Sequence, residues 1–303
     1  MVTNPVFSFL ITTRNRWSDL QFTLQQLLPL LQREDVECLV VDDGSTDGTT
    51  AFVKAQFPQV QIFTNPEPQG YIYNRNFLLH TAKAPYLISL DDDAHFVLPQ
   101  PLEIIQHHFE KYARCGLIAC RVFWGKTLPA SLQTDALPHN GFGFVGCGHV
   151  WRKTAWESIP DYPEHYGFYG EEEFASMALL QKRWEMHYVP DLLVHHRVEV
   201  RQRKNDADYA YRQRKAFANG IRNYMTFYPY FRLPYTLAYC TVVQFLNKLK
   251  ARDYVAFWAT FRAIFSILGT LGVLFQSRYR LTKMQYIRMK KLPLNPIFWK
   301  PNP

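Results

Sequence analysis

Over the first two hundred residues, short apolar runs alternate with amphipathic stretches. Phe7 to Thr12 reads as a buried strand, and Asp19 to Leu31 repeats its leucines at helical spacing. Cys38 to Val41 is a second strand, residues 47–56 a helix, and Val60 to Phe63 a short strand. Tyr71 to Ala82 has helical character and residues 86–90 form the next strand. Uninterrupted apolar strands separated by helices predict a mostly parallel sheet with helices on both faces. Two further strands follow, near Leu117–Phe123 and Phe144–Trp151, and the turn-rich segment between them, Trp124 to Gly143, reads as a loop. Glu171 to Arg183 is a helix whose three leading glutamates suit its positive end. His187 to Val194 is the last strand and runs into His195-His196.

Beyond residue 200 the pattern changes. Tyr209 to Phe227 predicts a basic helix, broken by Pro229 and Pro234. Leu233–Asn247 and Ala263–Ser277 are uncharged runs of 15 residues each. That is short of the roughly 20 needed to cross a bilayer, and Arg262 interrupts any longer span. Arg278, Arg280, Lys283, Arg288, Lys290 and Lys291 follow among Leu, Tyr and Ile. Such segments predict helices lying on a membrane; helices packed as a core-forming extension are the alternative. No internal repeat or low-complexity segment is present.

Charge sharpens this division. The 303 residues carry a net +8. Residues 1–200 hold 15 basic and 23 acidic side chains, net −8, whereas residues 201–303 hold 19 and 3, net +16. The split predicts two parts with different partners, at 1–200 and 201–303. Aromatic and aliphatic residues among the cations favour an anionic lipid surface over nucleic acid. Five cysteines with no CxxC pair predict neither a disulfide framework nor a zinc site and fit a reducing compartment. The first residues lack the pattern of a signal peptide, so a cytoplasmic protein on the inner face of the membrane is expected. No GxGxxG follows the first strand and no GxxxxGK[ST] occurs, which argues against a dinucleotide-binding oxidoreductase and a P-loop enzyme.

The strand at 86–90 ends in Asp91-Asp92-Asp93. Adjacent like charges are costly unless a cation sits among them, and hard divalent ions take carboxylate oxygens. Other loops after strands or at helix starts also carry polar groups: Thr13-Arg14-Asn15-Arg16, Asp42-Asp43-Gly44-Ser45, Gly170-Glu171-Glu172-Glu173 and His195-His196. In an α/β sheet these should gather on one edge, where ligands bind.

In their order, Thr13-Arg14-Asn15-Arg16, Val41-Asp42-Asp43-Gly44-Ser45-Thr46-Asp47-Gly48-Thr49, Asn74-Arg75-Asn76 and Leu90-Asp91-Asp92-Asp93 resemble the nucleotide-sugar half of a family 2 GT-A glycosyltransferase. Gly170-Glu171-Glu172, Val194-His195-His196 and Arg222-Asn223 resemble its later landmarks, so the resemblance spans about residues 5–230. It implies an α/β, Rossmann-like GT-A fold over 1–200, with a donor half at about 1–100, an acceptor half at about 101–200 and a C-terminal helical extension.

The implied activity is inverting transfer of one hexose from a nucleoside-diphosphate sugar, UDP favoured and dTDP possible. The acceptor would be a glycan or lipid-linked hydroxyl in cell-surface polysaccharide assembly. Thr13, Arg14, Asp42, Asp43, Asn74, Asp91 and Asp92 would bind donor, with Asp42 or Asp43 on the base and Asp91 near the ribose. Asp93 and His196, with Asp92 and His195 as alternatives, would hold a divalent metal, Mn2+ or Mg2+. Glu172 would be the catalytic base, where the family more often has Asp, leaving Glu171 and Glu173 as alternatives. Gln181-Lys182-Arg183-Trp184 is similar to a processive synthase signature but one residue short, which implies single addition. A sugar nucleotidyltransferase and a non-catalytic membrane-surface scaffold are the alternative readings, and the C-terminal helices could also join copies of the chain.

Overall fold

A computed structural model describes residues 4–199, 206–270, 272 and 279–300. The first apolar runs become β1 (Phe7–Thr13), β2 (Val36–Asp42), β3 (Val60–Thr64) and β4 (Tyr86–Asp91). Between them lie α1 (Trp17–Leu31), α2 (Thr49–Gln56) and α3 (Tyr71–Thr81). β3, β2, β1 and β4 pair in parallel, in that order. The pairing sets Thr13 beside Asp42 and Thr12 beside Asp91, so the carboxylates leave the sheet along one edge.

The second half is mixed. Its elements are β5 (Ala94–Phe96), α4 (Pro101–Lys111), β6 (Cys115–Trp124), β7 (His139–Gly141), β8 (His149–Arg152), α5 (Lys153–Trp156), α6 (Glu171–Gln181) and β9 (Glu185–His196). β8 enters antiparallel to both β4 and β6, while β6 and β9 pair in parallel. β5 and β7 flank β9 in antiparallel fashion. The run read as a strand over 144–151 is extended only from His149. Gly146 and Gly148, the latter at φ +79°, turn the chain before it. β7 lies inside the segment read as a loop. α4 carries its own sequence signal in Pro101 at the first turn and Leu102, Ile105 and Phe109 on one buried face.

Two apolar layers sandwich the sheet. α1 and α4 cover one face, with Leu20, Leu24, Leu27, Ile105 and Phe109 buried there. On the other, α3, α5 and α6 pack around Trp151, Trp156 and Tyr162. These three rings touch one another, with centroids 4.9 to 6.4 Å apart.

Beyond the sheet come α7 (Tyr209–Phe227), α8 (Leu233–Lys250), α9 (Tyr254–Leu268) and α10 (Lys283–Lys291). Asn219 on α7 donates to the carbonyls of Phe168 and Tyr169 at 3.0 and 2.7 Å, and Asn223 donates to Gly170 O at 2.8 Å. α10 opens with a capping box at Thr282 and reaches α6 through Gln285, which donates to Gln181 O at 2.8 Å. Within the uncharged run from Ala263, residues 271 and 273–277 lie outside the described residues, as does Arg278. No helix among the described residues is long and apolar enough to cross a membrane.

Trp151 is wholly buried at the meeting of β8 with the aromatic layer. Trp151→Ala should cost about 3–5 kcal/mol, since the cavity cannot collapse against two neighbouring rings. Urea unfolding would register this as a lower midpoint at unchanged slope.

Candidate active site

The edge where β1, β2 and β4 end opens into a cleft of about 990 Å³. Thr13, Arg14, Asp43, Asn74, Asp91, Asp92, Asp93, Glu172 and His196 all line it. Asp42 does not: its carboxylate accepts from Ser45 N at 2.9 Å and Thr50 Oγ1 at 2.5 Å, closing the turn after β2. Asp43 is the residue of that pair on the cleft. Its oxygens accept from Asn65 Nδ2 at 2.9 Å and from the amides of Gln69 and Gly70 at 2.7 and 3.0 Å. Burial would raise its pKa, but these donors and Asn74 hold it below the usual carboxylate range.

The three aspartates have separate surroundings. Asp91 accepts from Arg75 Nη2 at 2.7 Å and from Tyr71 Oη at 3.3 Å, and the guanidinium lies over the Tyr71 ring. Asp92 is turned inward. It accepts from Thr13 Oγ1 at 2.8 Å, and burial reinforced by its acidic neighbours pushes its pKa up to about 7 against Arg16 and Thr13. Asp93 Oδ2 accepts from Arg16 Nη2 at 2.6 Å. Its Oδ1 stands 3.0 Å from His196 Nε2, an ion-pair contact whose geometry is not that of an aligned hydrogen bond, and that oxygen has no hydrogen-bond partner. Burial opposes ionisation of Asp93, but His196 and Arg16 together outweigh it and hold the carboxyl well below its ordinary range. For His196, burial disfavours the charged ring, and the environment of Cys147, Asp93 and Asp91 overcomes this, raising the pKa to about 11.

A ligand set for a cation follows from these positions. Asp91, Cys147 and His196 offer donor atoms that all lie within 4.8 Å of one another, beside the unpartnered Asp93 oxygen. Burial raises the Cys147 thiol, which keeps it protonated and leaves carboxylate oxygen and imidazole as the donors. Such a set suits a hard or borderline divalent ion. His195 is directed elsewhere, its Nε2 lying 2.8 Å from Gly125 O. A second gathering, His108, Cys115 and His187, sits at the start of β6, where hydrogen bonds between the two rings and to Glu185 already account for it.

The glutamates at the start of α6 divide three ways. Glu171 is buried with Oε2 unpartnered, and burial followed by the charge of Glu172 raises its pKa well above the ordinary value. Glu173 accepts from Asn223 Nδ2 at 3.1 Å, and burial lifts it to about 7. Glu172 is half-exposed on the cleft wall, and its pKa is raised, chiefly by burial. Its Oε1 lies so close to Gly146 that a Cβ added there would approach it to 2.7 Å.

Arg16, Arg75, Tyr71, Gly146 and Cys147 complete the site without having been singled out from sequence. The two arginines stood inside the quoted motifs. Tyr71, Gly146 and Cys147 gave no local signal, because only tertiary packing brings them to the aspartates. Leu294, Asn295 and Ile297 also line the cleft, some two hundred residues from the aspartate triplet.

Residues 8–145 match the family model described as Glycosyl transferase family 2. No curated protein sequence matches the chain. Among solved structures, GalNAc-T7 with UDP, GalNAc and Mn2+ is similar at TM-score 0.59 and 16% identity, covering 76% of this chain; the match spans about half, 49%, of that chain. The mannosyltransferase PcManGT of Pyrobaculum calidifontis, in complex with GDP-Man and Mn2+, gives TM-score 0.56 and 14% identity over 95% of this chain and 84% of the other. S. aureus TarS 1-349 with UDP gives 0.51 and 17%, over 70% and 64%. Residues 8–145 thus resemble glycosyltransferase family 2, and the chain has the GT-A fold of these neighbours.

Proposed function

We propose that the chain transfers a single hexose, with inversion, from a nucleoside-diphosphate sugar to an acceptor hydroxyl. The observation that carries this reading is the cleft in which Asp91, Asp93 and His196 converge beside Glu172. Donor-bound relatives of the same fold, with UDP or GDP-Man, support the donor class. Asp43 and Asn74 would receive the base end, with Thr13, Arg14 and the turn closed by Asp42 around it. Asp91 would face the ribose, and Asp92, turned inward, would support the loop. Asp93 and His196, with Asp91, would hold Mn2+ or Mg2+. A divalent ion there neutralises charge on the departing diphosphate.

The chemistry left to the chain is a proton transfer and a geometry. An acceptor hydroxyl attacks poorly while it keeps its proton. Glu172 takes that proton as the oxygen bonds to the anomeric carbon and the carbon–oxygen bond to the diphosphate breaks. Attack from the side opposite the leaving group inverts the configuration. The raised pKa of Glu172 makes it a stronger base than an exposed carboxylate. Gly146 keeps space for that carboxylate and is a positioning residue. We place the catalytic work in residues 1–200 and association with a surface in 201–303.

The surface reading has its own observation. On α8, Tyr235, Tyr239, Val242, Leu246 and Leu249 are exposed and recur at steps of four and three, forming one stripe. On α9, Tyr254, Trp258, Phe261, Phe265 and Leu268 repeat the spacing, while Ala256, Ala259, Ala263 and Ile267 face inward. Lys248, Lys250, Arg252 and Arg262 accompany them, and Asp253 at the α9 cap is the sole acidic residue from 233 to 268. Tyrosine and tryptophan with cations suit the headgroup region of an anionic membrane. We therefore read the protein as cytoplasmic and bound to the inner membrane face, acting in cell-surface polysaccharide assembly.

Three outcomes are expected. With UDP or GDP at 100 times its dissociation constant and Mn2+ present, the parent gains about 2.7 kcal/mol of stability; Asp93→Ala loses the Mn2+-dependent part while still unfolding cooperatively. Nucleotide stabilisation that ignores Mn2+ in the parent would count against the metal assignment. Glu172→Gln keeps donor binding and loses roughly a hundredfold or more in turnover. Gly146→Ala moves turnover in the same direction by displacing the carboxylate, and if Glu171→Gln were the damaging change instead, the base would be its neighbour. Finally, the protein should sediment with vesicles containing phosphatidylglycerol and be released as salt rises. Indifference to lipid charge, together with a dimer in solution that Trp258→Ser dissolves, would assign the stripe to a second copy.

A further inference from the structure

The last residues of the chain return to the cleft. After α10, Pro293 O accepts from Phe142 N at 2.8 Å and Asn295 N donates to Phe142 O at 3.0 Å. This forms a parallel bridge between Phe142 and Leu294. Asn295 is buried and donates to Gly143 O at 2.8 Å. It occupies the space that a side chain at 141 would need, since a Cβ on Gly141 would fall 1.9 Å from Asn295 Oδ1. Farther on, Trp299 N donates to Val122 O at 2.6 Å, and the Arg121 guanidinium lies over the Trp299 ring at 4.5 Å. Phe298 stacks on Trp124 at 5.2 Å. Residues 293–299 are thus a strap bound at both ends.

What the strap shows to the cleft is aliphatic. Leu294 is 78% exposed and Ile297 63% exposed, and both line the cleft on the side of Trp124 and Phe142. That side lies beyond the aspartates from Asp43 and Asn74, because β6 and β7 sit on the far half of the sheet from β2. Branched aliphatic side chains held in water on an anchored backbone gain free energy when an apolar group covers them. A sugar ring is better served by the flat face of an aromatic; a hydrocarbon chain is better served by leucine and isoleucine. Lys126 lines the same side and has no ion-pair partner among the described residues. A cation beside an aliphatic shelf is complementary to a phosphate attached to a hydrocarbon.

We infer that residues 293–299 form an acceptor subsite for a lipid-linked saccharide, with the hydrocarbon on Leu294 and Ile297 and the linking phosphate at Lys126. This rests on the reading of the cleft as a glycosyl-transfer site and selects among its acceptors. It also gives the basic C-terminal region a part in catalytic specificity, separate from any surface it binds.

The test uses the full chain and two probes, n-decyl phosphate below its micelle-forming concentration and inorganic phosphate, by titration calorimetry. The parent should bind decyl phosphate at least tenfold more tightly than phosphate. In the double variant Leu294→Ser, Ile297→Ser, whose sites are too exposed to disturb folding, the two probes should bind within about threefold of each other. Lys126→Ala should weaken decyl phosphate several-fold. The double variant Tyr239→Ser, Trp258→Ser removes apolar surface from α8 and α9 and should keep the preference. Equal affinity of the parent for both probes overturns the inference. So does a preference that survives at the strap variant, or one lost at the α8–α9 variant, which would move the hydrocarbon to that stripe. Mn2+-dependent binding of UDP and GDP by the parent is measured alongside. Its absence would sink the transferase reading, whereas its presence without an alkyl preference would sink the subsite alone.

Discussion

Packing carboxylates around one cleft is the constraint on which the remaining structure depends. Asp91, Asp92, Asp93, Glu171 and Glu172 all line it, and several are buried. Charges that close, in a poorly solvated place, must be neutralised by protons, by cations or by both. The protein uses both. Arg75, only 5% exposed, is given to Asp91; Arg16 is shared between Asp92 and Asp93; His196 is charged against Asp93. Burial raises Asp92, Glu171 and Glu172 toward the protonated form. The result is a site poised between states, in which an arriving cation competes with Arg16 for the Asp93 carboxylate and with a proton for the His196 ring.

The sheet changes character at β8, next to these carboxylates. A wholly parallel sheet would continue to send strand ends, and their loops, to the same edge. An antiparallel β8 between β4 and β6 instead brings the chain back across the edge, and the residues just before it, Gly146 and Cys147, become the wall facing Asp91 and Glu172. Gly148, in the left-handed region at φ +79°, makes the return possible, and Val122 and Val194 would crowd a side chain there. The same strand-and-turn unit buries Trp151 in the layer of α3, α5 and α6. Packing and chemistry are therefore joined in one short segment.

Sequence carried the first half of the fold and much less of the second, for a physical reason. β1, β2 and β4 are buried on both faces, so their residues are largely apolar, and the helices beside them must be amphipathic. That periodicity is readable, and the Asp triplet stands out at its end. Residues 124–150 pack by turns, glycines and a three-residue strand, β7, whose pairing with β9 is a tertiary matter. His139, Asn140 and Gly141 carry no strand propensity, so they read as loop. Of the aspartates after β2, sequence left Asp42 and Asp43 level as donor ligands; the structure separates them by hydrogen bonding, one to the turn and one to the cleft. The partners of Asp91 and Asp93 could be quoted from nearby motifs but not paired with them, because Arg75 and Arg16 reach the site from a helix and a loop whose orientation depends on the whole layer.

The C-terminal region was legible as basic and aromatic, and its contribution to the site was not. Asn219 and Asn223 hold the carbonyls of residues 168–170, immediately before α6, and Asn223 also holds Glu173. They act where a helix start would otherwise leave its approach unsupported. Asparagine suits this role because one amide can donate to several carbonyls without adding charge beside three glutamates. A lysine there would answer the same carbonyls but would compete with the cation chemistry of the site. The strap makes the same point from the other end of the chain, where Asn295 is neutral, buried and bonded to backbone. Neutral donors thus anchor the C-terminal region around the cleft, while Arg288 answers Glu185 and the buried Arg222 ties α7 to α9.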